Sequence, residues 1–488
     1  MLIENVRPND DYVETCTLVR DTQDEVFPTP LAPVTPLADA GTLNSLTGVT
    51  GTMDALGELH FPGTHWIDEG NMQYRVGRFE DALLAYEQAI ERNAHAALAS
   101  TGKGNALYKL RHYDDALRAY NYALCLDATL LPALLGKGFT FWKQRQREAA
   151  LAMYEQVVRL DASSVAAYNG MGYALYALRR DEAALHAFET ALRLSPNDVI
   201  VQTNVGYTLY RLGRYAEAED AFAAALDLSP AHAPAHYGYG QALERLQHPN
   251  EALLAYREAT FCDANYQAAW REQSALLYKL ARYEECLVSY EKALHLVSTC
   301  SRSYRGYGDA LYALGRYDEA LFSYMHALEY GLDNDAWTYN GKGNALYKLL
   351  HYTQALMAYE RATILDASVP VFHYNKGIML GRLNRHDEAL LAYERCIRLD
   401  PNDAYAQNSK GNTLYRLGRY QQALAAYNQA IALYDQEPVF HANRGDVLVF
   451  LEVYDEAHAA YENALTLAPG DVELQAKRDE THVRRDMR

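Results

Sequence analysis

The chain has 488 residues, a hydrophobic content of 49% and a formal net charge of −18. An acidic protein of this kind repels phosphate backbones and anionic lipid headgroups, so nucleic-acid and membrane partners are not expected. Its six cysteines form no CxxC pair, which argues against zinc ribbons and dithiol redox chemistry. Such sparse thiols fit a reducing compartment, and we expect a cytoplasmic protein.

Residues 1–62 form a first segment that differs from the rest of the chain. They contain 10 Asp/Glu and 2 Arg, with a PTPLAPVTP sequence and Gly/Thr-rich stretches, which predicts an extended or disordered chain. The start has no basic cluster followed by an apolar run, so a signal peptide is not expected. No stretch of the chain approaches the roughly 18 uncharged apolar residues of a transmembrane helix.

Residues 63–471 repeat with a period of 34. The segment GKGNALYKL occurs at 102–110 and again at 341–349, and alignment on its second glycine gives twelve units. Every spacing is 34 except one of 35, between Gly308 and Gly343. We call the aligned positions the glycine column: Gly70, Gly104, Gly138, Gly172, Gly206, Gly240, Ser274, Gly308, Gly343, Gly377, Gly411 and Gly445.

Three more columns follow the glycine column at 12, 16 and 19 positions, and they are small, aromatic and small. Residues at i, i+4 and i+7 share one face of a helix. Each unit should therefore be a pair of helices in which small residues allow close approach and a ring fills the space between layers. The aromatic column consists of Tyr86, Tyr120, Tyr154, Phe188, Phe222, Tyr256, Tyr290, Tyr324, Tyr359, Tyr393, Tyr427 and Tyr461.

Residues 472–488 follow the last repeat. Val472, Ala476, Val483 and Met487 can share one face of a helix whose other face is charged. A terminal helix with a polar outer face can close the exposed core of a repeat array. We therefore predict a C-terminal capping helix that uses this apolar face.

The 34-residue period, the helix–turn–helix unit and the Gly, Ala, Tyr and Ala columns closely resemble the tetratricopeptide repeat (TPR) family. The resemblance covers residues 63–471. It implies an all-α, right-handed superhelix of about twelve repeats, with some 24 repeat helices and a terminal one. It also implies a scaffold that binds proteins or extended peptides in its concave groove, and not an enzyme.

The sequence contains no set of residues that indicates catalysis or a cofactor. The GKG sequences at 102–104 and 341–343 lack the spacing of a phosphate loop and lie within predicted repeat helices. His232 and His236 are four residues apart, but Pro234 marks a helix start between them, so a shared metal-binding face is doubtful. We expect no metal and no cofactor.

The first helix of most units carries an aromatic residue and then a cation, which we call the basic–aromatic row. In proteins that this chain resembles, this position tends to face the groove, so the row favours an extended acidic or carboxylate-ended peptide. The alternative is ordinary snorkelling of Lys and Arg into water. The row comprises Tyr74, Arg75, Tyr108, Lys109, Trp142, Lys143, Tyr176, Tyr210, Arg211, Arg245, Tyr278, Lys279, Tyr312, Tyr347, Lys348, Arg382, Tyr415 and Arg416.

Asparagines recur on the same helices. They stand at Asn71, Asn105, Asn344 and Asn412, and at a nearby face at Asn204, Asn375 and Asn443. An Asn side chain can both donate to and accept from a peptide backbone, so we expect Asn105, Asn344 and Asn412 to line the groove. This is similar to the asparagine ladders of some TPR proteins. The carboxylate clamp of TPR co-chaperones needs a cation four residues earlier, where this chain has Ile67, Thr101, Asn340 and Asn408.

The leading functional hypothesis is a protein-interaction scaffold. One alternative is a structural protein that self-associates head to tail into oligomers or filaments, because a contact of that type need not close. Another is a regulatory subunit of an enzyme complex. A further hypothesis is autoinhibition, in which the acidic residues 1–62 lie in the basic groove of their own chain or of a neighbour.

Overall fold

The computed structural model describes residues 52–53, 59–60, 64–93, 95–331 and 334–486. A short strand pair comes first, in which β1 (Thr52–Met53) runs antiparallel to β2 (Leu59–His60). Apart from this pair, the prediction that residues 1–62 are extended or disordered lies outside the described residues. The rest of the described chain consists of helices and the turns that join them.

The described chain divides into two compact units, one that ends at residue 269 and one that begins at residue 270. The described part of the first unit contains α1 (Thr64–Arg75), α2 (Phe79–Glu91), α3 (Ala96–Lys109), α4 (Tyr113–Leu126), α5 (Leu131–Lys143), α6 (Arg147–Leu160), α7 (Val165–Ala177), α8 (Asp181–Leu194), α9 (Val199–Arg211), α10 (Tyr215–Leu228), α11 (Ala233–Arg245) and α12 (Pro249–Cys262). The boundary between the units falls within the next helix, α13 (Gln267–Lys279).

The described part of the second unit continues with α14 (Tyr283–Leu296), α15 (Ser301–Ala313), α16 (Tyr317–Glu329), α17 (Ala336–Lys348), α18 (Tyr352–Leu365), α19 (Pro370–Arg382), α20 (His386–Leu399), α21 (Ala404–Arg416), α22 (Tyr420–Leu433), α23 (Pro438–Phe450), α24 (Tyr454–Leu467) and α25 (Val472–Asp486). The prediction of twelve helix pairs and a terminal helix is therefore confirmed within the residues that the structure describes. The fold is an all-α solenoid of helix pairs.

The small and aromatic columns of the repeats form the core of each of the two compact units. Both small columns are 0% exposed in every repeat, from Ala82 and Ala89 to Ala457 and Ala464, so they have no room for a larger side chain. The aromatic column is buried throughout. Within each unit, a first helix packs on the second helix of its own repeat, and that second helix packs on the first helix of the next.

The glycines are required because they enclose the aromatic rings. A Cβ atom on Gly308 would lie 2.9 Å from Cε1 of Tyr324, and one on Gly341 would lie 2.7 Å from Cζ of the same ring. The ring is therefore held between a glycine of its own repeat and a glycine of the next. Each glycine costs about 1 kcal/mol of helix stability relative to Ala. The close contact with a fully buried ring offsets this cost.

The C-terminal helix α25 packs on α24, but the predicted apolar face was wrong. Leu474 and Thr481 are 7% and 2% exposed, whereas Val472 and Val483 are 75% and 52% exposed. Lys477 lies on the packed side, where its Nζ is 2.9 Å from Oδ1 of Asp446 in α23. The open end of the array offers a single apolar site, filled by Leu474, and a carboxylate that selects a cation.

The other two residues of the predicted face do not change this correction. Ala476 is exposed, and Met487 lies outside the described residues. Apolar spacing alone placed the wrong side of the helix against the array. The terminal helix does cover the last repeat, as expected.

Candidate functional site

The cations of the basic–aromatic row stand in the last turn of the first helices. This is so for Arg75, Lys109, Lys143, Arg211, Arg245, Lys279, Lys348, Arg382 and Arg416. Positive charge near a helix C-terminus is stabilised by the helix dipole. Helix stability thus accounts for a cation at this place, but it does not determine what the cation faces.

Three residues in this position share one neighbour relation, which we call the contact rule. Each of them contacts the first residue of the second helix in the preceding repeat. Arg211 pairs with Asp181 at the start of α8, and Nη2 of Arg245 lies 2.9 Å from the hydroxyl oxygen of Tyr215 at the start of α10. Where Phe450 replaces the cation, its ring stacks on Tyr420 with centroids 5.1 Å apart.

The first residue of the second helix therefore decides whether a cation is neutralised. Among the described helices, Asp181 is the single carboxylate at this position. Eight of the others are aromatic: Phe79, Tyr113, Tyr215, Tyr283, Tyr317, Tyr352, Tyr420 and Tyr454. An aromatic face attracts a cation without cancelling its charge. The guanidinium of Arg245, 4.9 Å from the ring centroid of Tyr215, shows this arrangement.

The aromatic residues of the row are fixed by the same second helices. In seven repeats the row tyrosine contacts the ring that opens the second helix of its own repeat, with centroids 5.3–6.0 Å apart. Burial raises the pKa of Tyr74 and of Tyr108 to about 12, so these hydroxyls stay protonated near neutral pH. The rings are thus rigidly held, and their neutral hydroxyl groups remain hydrogen-bonding groups.

Two aromatic residues of the row, Trp142 and Tyr176, depart from this pattern. Trp142 contacts Tyr173, with ring centroids 6.2 Å apart. Tyr176 carries the guanidinium of Arg211 over its ring and also accepts a hydrogen bond from it through its backbone oxygen. Arg211 is consequently committed to an ion pair, a ring and a carbonyl group, and it contributes little net charge to the row.

The asparagines that follow the glycine column have a structural role that the sequence hypothesis missed. The hydroxyl of the aromatic-column tyrosine donates to their Oδ1 at 2.7–2.8 Å: Tyr86 to Asn71, Tyr120 to Asn105, Tyr359 to Asn344 and Tyr427 to Asn412. Asp309 and Asp446 accept from Tyr324 and Tyr461 in the same way.

This contact corrects the expectation that Asn344 and Asn412 line a peptide groove, whereas the expectation for Asn105 stays a prediction. Asn344 and Asn412 are buried, and their carboxamide oxygens satisfy a buried hydroxyl group. Asn105 is half-buried, and its Oδ1 is occupied as well. A signal was present in the sequence: where the column holds Phe188 or Phe222, which lack a hydroxyl, the asparagine position holds a tyrosine.

The second set of asparagines joins adjacent repeats. Nδ2 of Asn204, Asn375 and Asn443 donates to Oδ1 of Asn169, Asn340 and Asn408 at 3.1, 3.0 and 2.9 Å. Each of these pairs is 35 residues apart, a regularity visible in the sequence only once the repeats are aligned. Since the three donors are buried, they fix the stacking of neighbouring repeats.

The GKG sequences are helical and packed. Cβ atoms on Gly102 and Gly104 would lie 2.5 and 2.6 Å from the rings of Tyr86 and Tyr120, so no phosphate fits there. Among the described residues, every helix falls short of the length and apolar content needed to cross a bilayer. The cytoplasmic location expected from the sequence stays a prediction.

Comparison with known proteins identifies the family. A family model described as tetratricopeptide repeat matches residues 67–129, 135–199, 206–269, 272–336, 340–404 and 374–438, well over half of the chain. The chain belongs to the tetratricopeptide repeat family. TPR arrays are in general protein-interaction scaffolds and not enzymes, and the resemblance seen in the sequence is confirmed. A search of curated proteins found no match.

Several solved structures are similar to this TPR chain. One is the APC/C hetero-tetramer Cut9–Hcn1, with 10% identity over 86% of this chain and 96% of that chain and a TM-score of 0.46. Yeast Tom70 has 14% identity over 87% and 96%, with a TM-score of 0.35. YrrB, described as a TPR protein with an unusual peptide-binding site, has 26% identity over 38% and 95%, with a TM-score of 0.34.

Proposed function

We propose that this protein is a scaffold that binds an extended acidic segment of a partner protein along the basic–aromatic row. The observation that carries the proposal is the type of residue that begins the second helices, the position that Arg211 and Arg245 of the row contact. Eight of the twelve described second helices begin with an aromatic ring and one with a carboxylate, and Arg245 lies over such a ring, that of Tyr215. Within each compact unit, an acidic protein thereby places positive charge in the last turns of its first helices.

The chemistry of the row suits a peptide with carboxylates. Lys and Arg form charge-assisted hydrogen bonds with carboxylates, about twice as strong as bonds between neutral groups. The row tyrosines add flat apolar surface and hydroxyl groups that can bond to a peptide backbone. The net charge of −18 repels most other acidic chains from the remaining surface. Binding by an acidic segment should therefore be confined to the row and weaken with salt.

The test is binding of acidic peptides and of partners from native lysate to two matched variants. The row variant changes Lys109, Lys279, Lys348 and Arg416 to Ser, and leaves Arg211 because it is ion-paired with Asp181. The control variant changes four turn arginines that pair with a glutamate three residues later, Arg214, Arg282, Arg316 and Arg385, to Ser.

The two variants lose the same number of positive charges. We expect the row variant to lose salt-sensitive binding, and the control to keep it, while both retain wild-type helicity by circular dichroism. If the wild type and the row variant bind the same partners with the same affinities, the binding surface lies elsewhere than the row.

The two alternative functions are less well supported. Head-to-tail self-assembly requires an accessible end, and α25 covers the face of α24 at the C-terminal end. A monomer whose sedimentation is independent of concentration would exclude it. A regulatory subunit of an enzyme complex would use the same groove, and enzymes among the lysate partners of the wild type would favour that role.

A further inference from the structure

Three cations in the second and third repeats have no carboxylate partner. Lys109 lies in the last turn of α3, Arg111 in the turn before α4, and Lys143 in the last turn of α5. None of the three takes part in an ion pair with any residue that the structure describes. In a protein with 63 acidic and 45 basic residues, three neighbouring cations without a partner require an explanation.

Contacts between the two repeats bring these cations together. Nε2 of Gln144, which follows Lys143, lies 2.7 Å from Oδ1 of Asp114, close to Arg111 in the chain. The end of α5 therefore meets the start of α4. Asp114 is engaged by Gln144 and not by a cation. From the contact rule of the row we expect Lys143 to face Tyr113, the first residue of α4, whereas Arg211 in the equivalent position of repeat five pairs with Asp181.

The electrostatic behaviour of Lys143 agrees with this geometry. Burial lowers its pKa first, and the charges of Arg111 and Lys109 lower it further. The repulsion shows that the three positive groups share one local environment. An anionic ligand would relieve it.

Arg111 also occupies a backbone position that suits glycine better. Its φ is +64°, and four other repeats place Gly77, Gly213, Gly315 or Gly418 at the same point of the turn. A left-handed conformation costs a residue with a side chain roughly 1 kcal/mol or more. The turn of the next repeat has Arg145 at this point, with a φ of +61°. Fold stability therefore does not explain the guanidinium group of Arg111.

We propose that Lys109, Arg111 and Lys143 form the principal carboxylate-binding subsite of the row, occupied by a carboxylate of a partner peptide. The inference rests on the proposed function and adds which part of the row binds the negative charge of the ligand. Tyr113, whose ring centroid lies 5.8 Å from that of Tyr108 next to Lys109, supplies an aromatic wall to the subsite. The carboxylate comes from an Asp or Glu side chain or from the C-terminus of the peptide.

The experiment compares two triple variants at the same three positions of the repeat. The subsite variant carries Lys109→Gln, Arg111→Gly and Lys143→Gln. The comparison variant carries Lys348→Gln, Leu350→Gly and Arg382→Gln in the ninth and tenth repeats, where Leu350 has a φ of +65°. The probes are short fluorescent peptides in which Asp alternates with Ser, with free or amidated C-termini, and the same peptides with Asn for Asp.

The subsite variant should bind the Asp peptide about tenfold more weakly than wild type, whereas the comparison variant, which removes two other cations of the row, should show a smaller loss of about threefold. If amidation has no effect, the carboxylate is that of a side chain; if only free C-termini bind, it is terminal. Equal losses in both variants, or a loss only in the comparison variant, would overturn the subsite and leave the proposed function in place. Equal binding of Asp and Asn peptides to wild type would overturn both.

Single substitutions separate binding from folding. Arg111→Gly should raise the melting temperature, because it relieves the left-handed conformation, and at the same time weaken binding of the Asp peptide. Leu350→Gly should also raise the melting temperature but leave binding unchanged. An Arg111→Gly variant that is stabilised and binds as wild type would overturn the role of Arg111. Tyr113→Asp, which copies Asp181, should weaken binding while all three cations remain.

Discussion

The enclosure of the Tyr324 ring by Gly308 and Gly341 makes a quantitative prediction about Gly341→Ala. Gly341 lies in the interior of α17, where Ala should stabilise the helix by about 1 kcal/mol. However, the new Cβ would lie 2.7 Å from Cζ and 2.8 Å from Cε1 of Tyr324. Whether the substitution stabilises or destabilises the protein depends on whether that ring can move.

Two contacts and the burial of the side chain indicate that the ring of Tyr324 cannot move away. A Cβ on Gly308, at the opposite face, would lie 2.9 Å from Cε1, so that face is already in close contact. The hydroxyl of Tyr324 donates to Asp309 at 2.7 Å, and the side chain is 1% exposed. Overpacking of this kind typically costs about 1–3 kcal/mol. After subtraction of the helix propensity, we expect a net destabilisation of up to about 2 kcal/mol.

Gly381→Ala is the matched control. Gly381 lies in the last turn of α19, and a Cβ there would meet no other atom within 4 Å. This variant should be stabilised by about 0.5–1 kcal/mol. The two Gly→Ala changes should therefore have opposite signs in one protein.

Urea unfolding followed by circular dichroism gives the overall change in stability. Hydrogen exchange of the α16 and α17 amides gives the local change, which matters because long repeat arrays need not unfold in two states. Stabilisation of Gly341→Ala by the same amount as Gly381→Ala would refute the argument that the ring is held between two glycines.

Three further predictions follow from the contacts. Asn344→Ala should cost about 1–3 kcal/mol, because it leaves the buried hydroxyl of Tyr359 without its acceptor, and adding Tyr359→Phe should recover part of that loss in urea unfolding. Deletion of residues 1–62 should raise affinity for acidic peptides in a salt-sensitive way; unchanged affinity would reject autoinhibition. Burial raises the pKa of Tyr108 and of Tyr173 to about 12. The part of the free energy of unfolding that depends on their protonated hydroxyl groups is therefore complete below pH ~10, and it is lost as the pH rises through the pKa values of the folded protein. In an alkaline titration, tyrosinate absorbance should appear together with unfolding; ionisation near pH ~10 in a folded protein would contradict this.

The sequence by itself determined the repeat unit, its helices and the residues of its core. These follow from spacing along one helix, because side chains at i, i+4 and i+7 share a face whatever surrounds them. The burial of the aromatic column was predicted for this reason, whereas the close contact between its rings and the glycines came from the structure. Proline also marks helix ends in the sequence, because α8, α10, α20 and α24 each end two residues before a proline, namely Pro196, Pro230, Pro401 and Pro469.

Only the tertiary structure decided what each polar side chain meets. Asn344 and Asn412 looked available for a peptide, but the ring that needs their oxygen is 15 residues away on another helix. Arg211 and Arg245 look alike in sequence, yet one pairs with Asp181 in the preceding repeat and the other lies over the ring of Tyr215. The face of α25 was likewise selected by Asp446 and by the apolar site for Leu474, not by its own pattern. Hydrogen bonds and charges depend on a partner across the stack of helices, which periodicity within one helix does not encode.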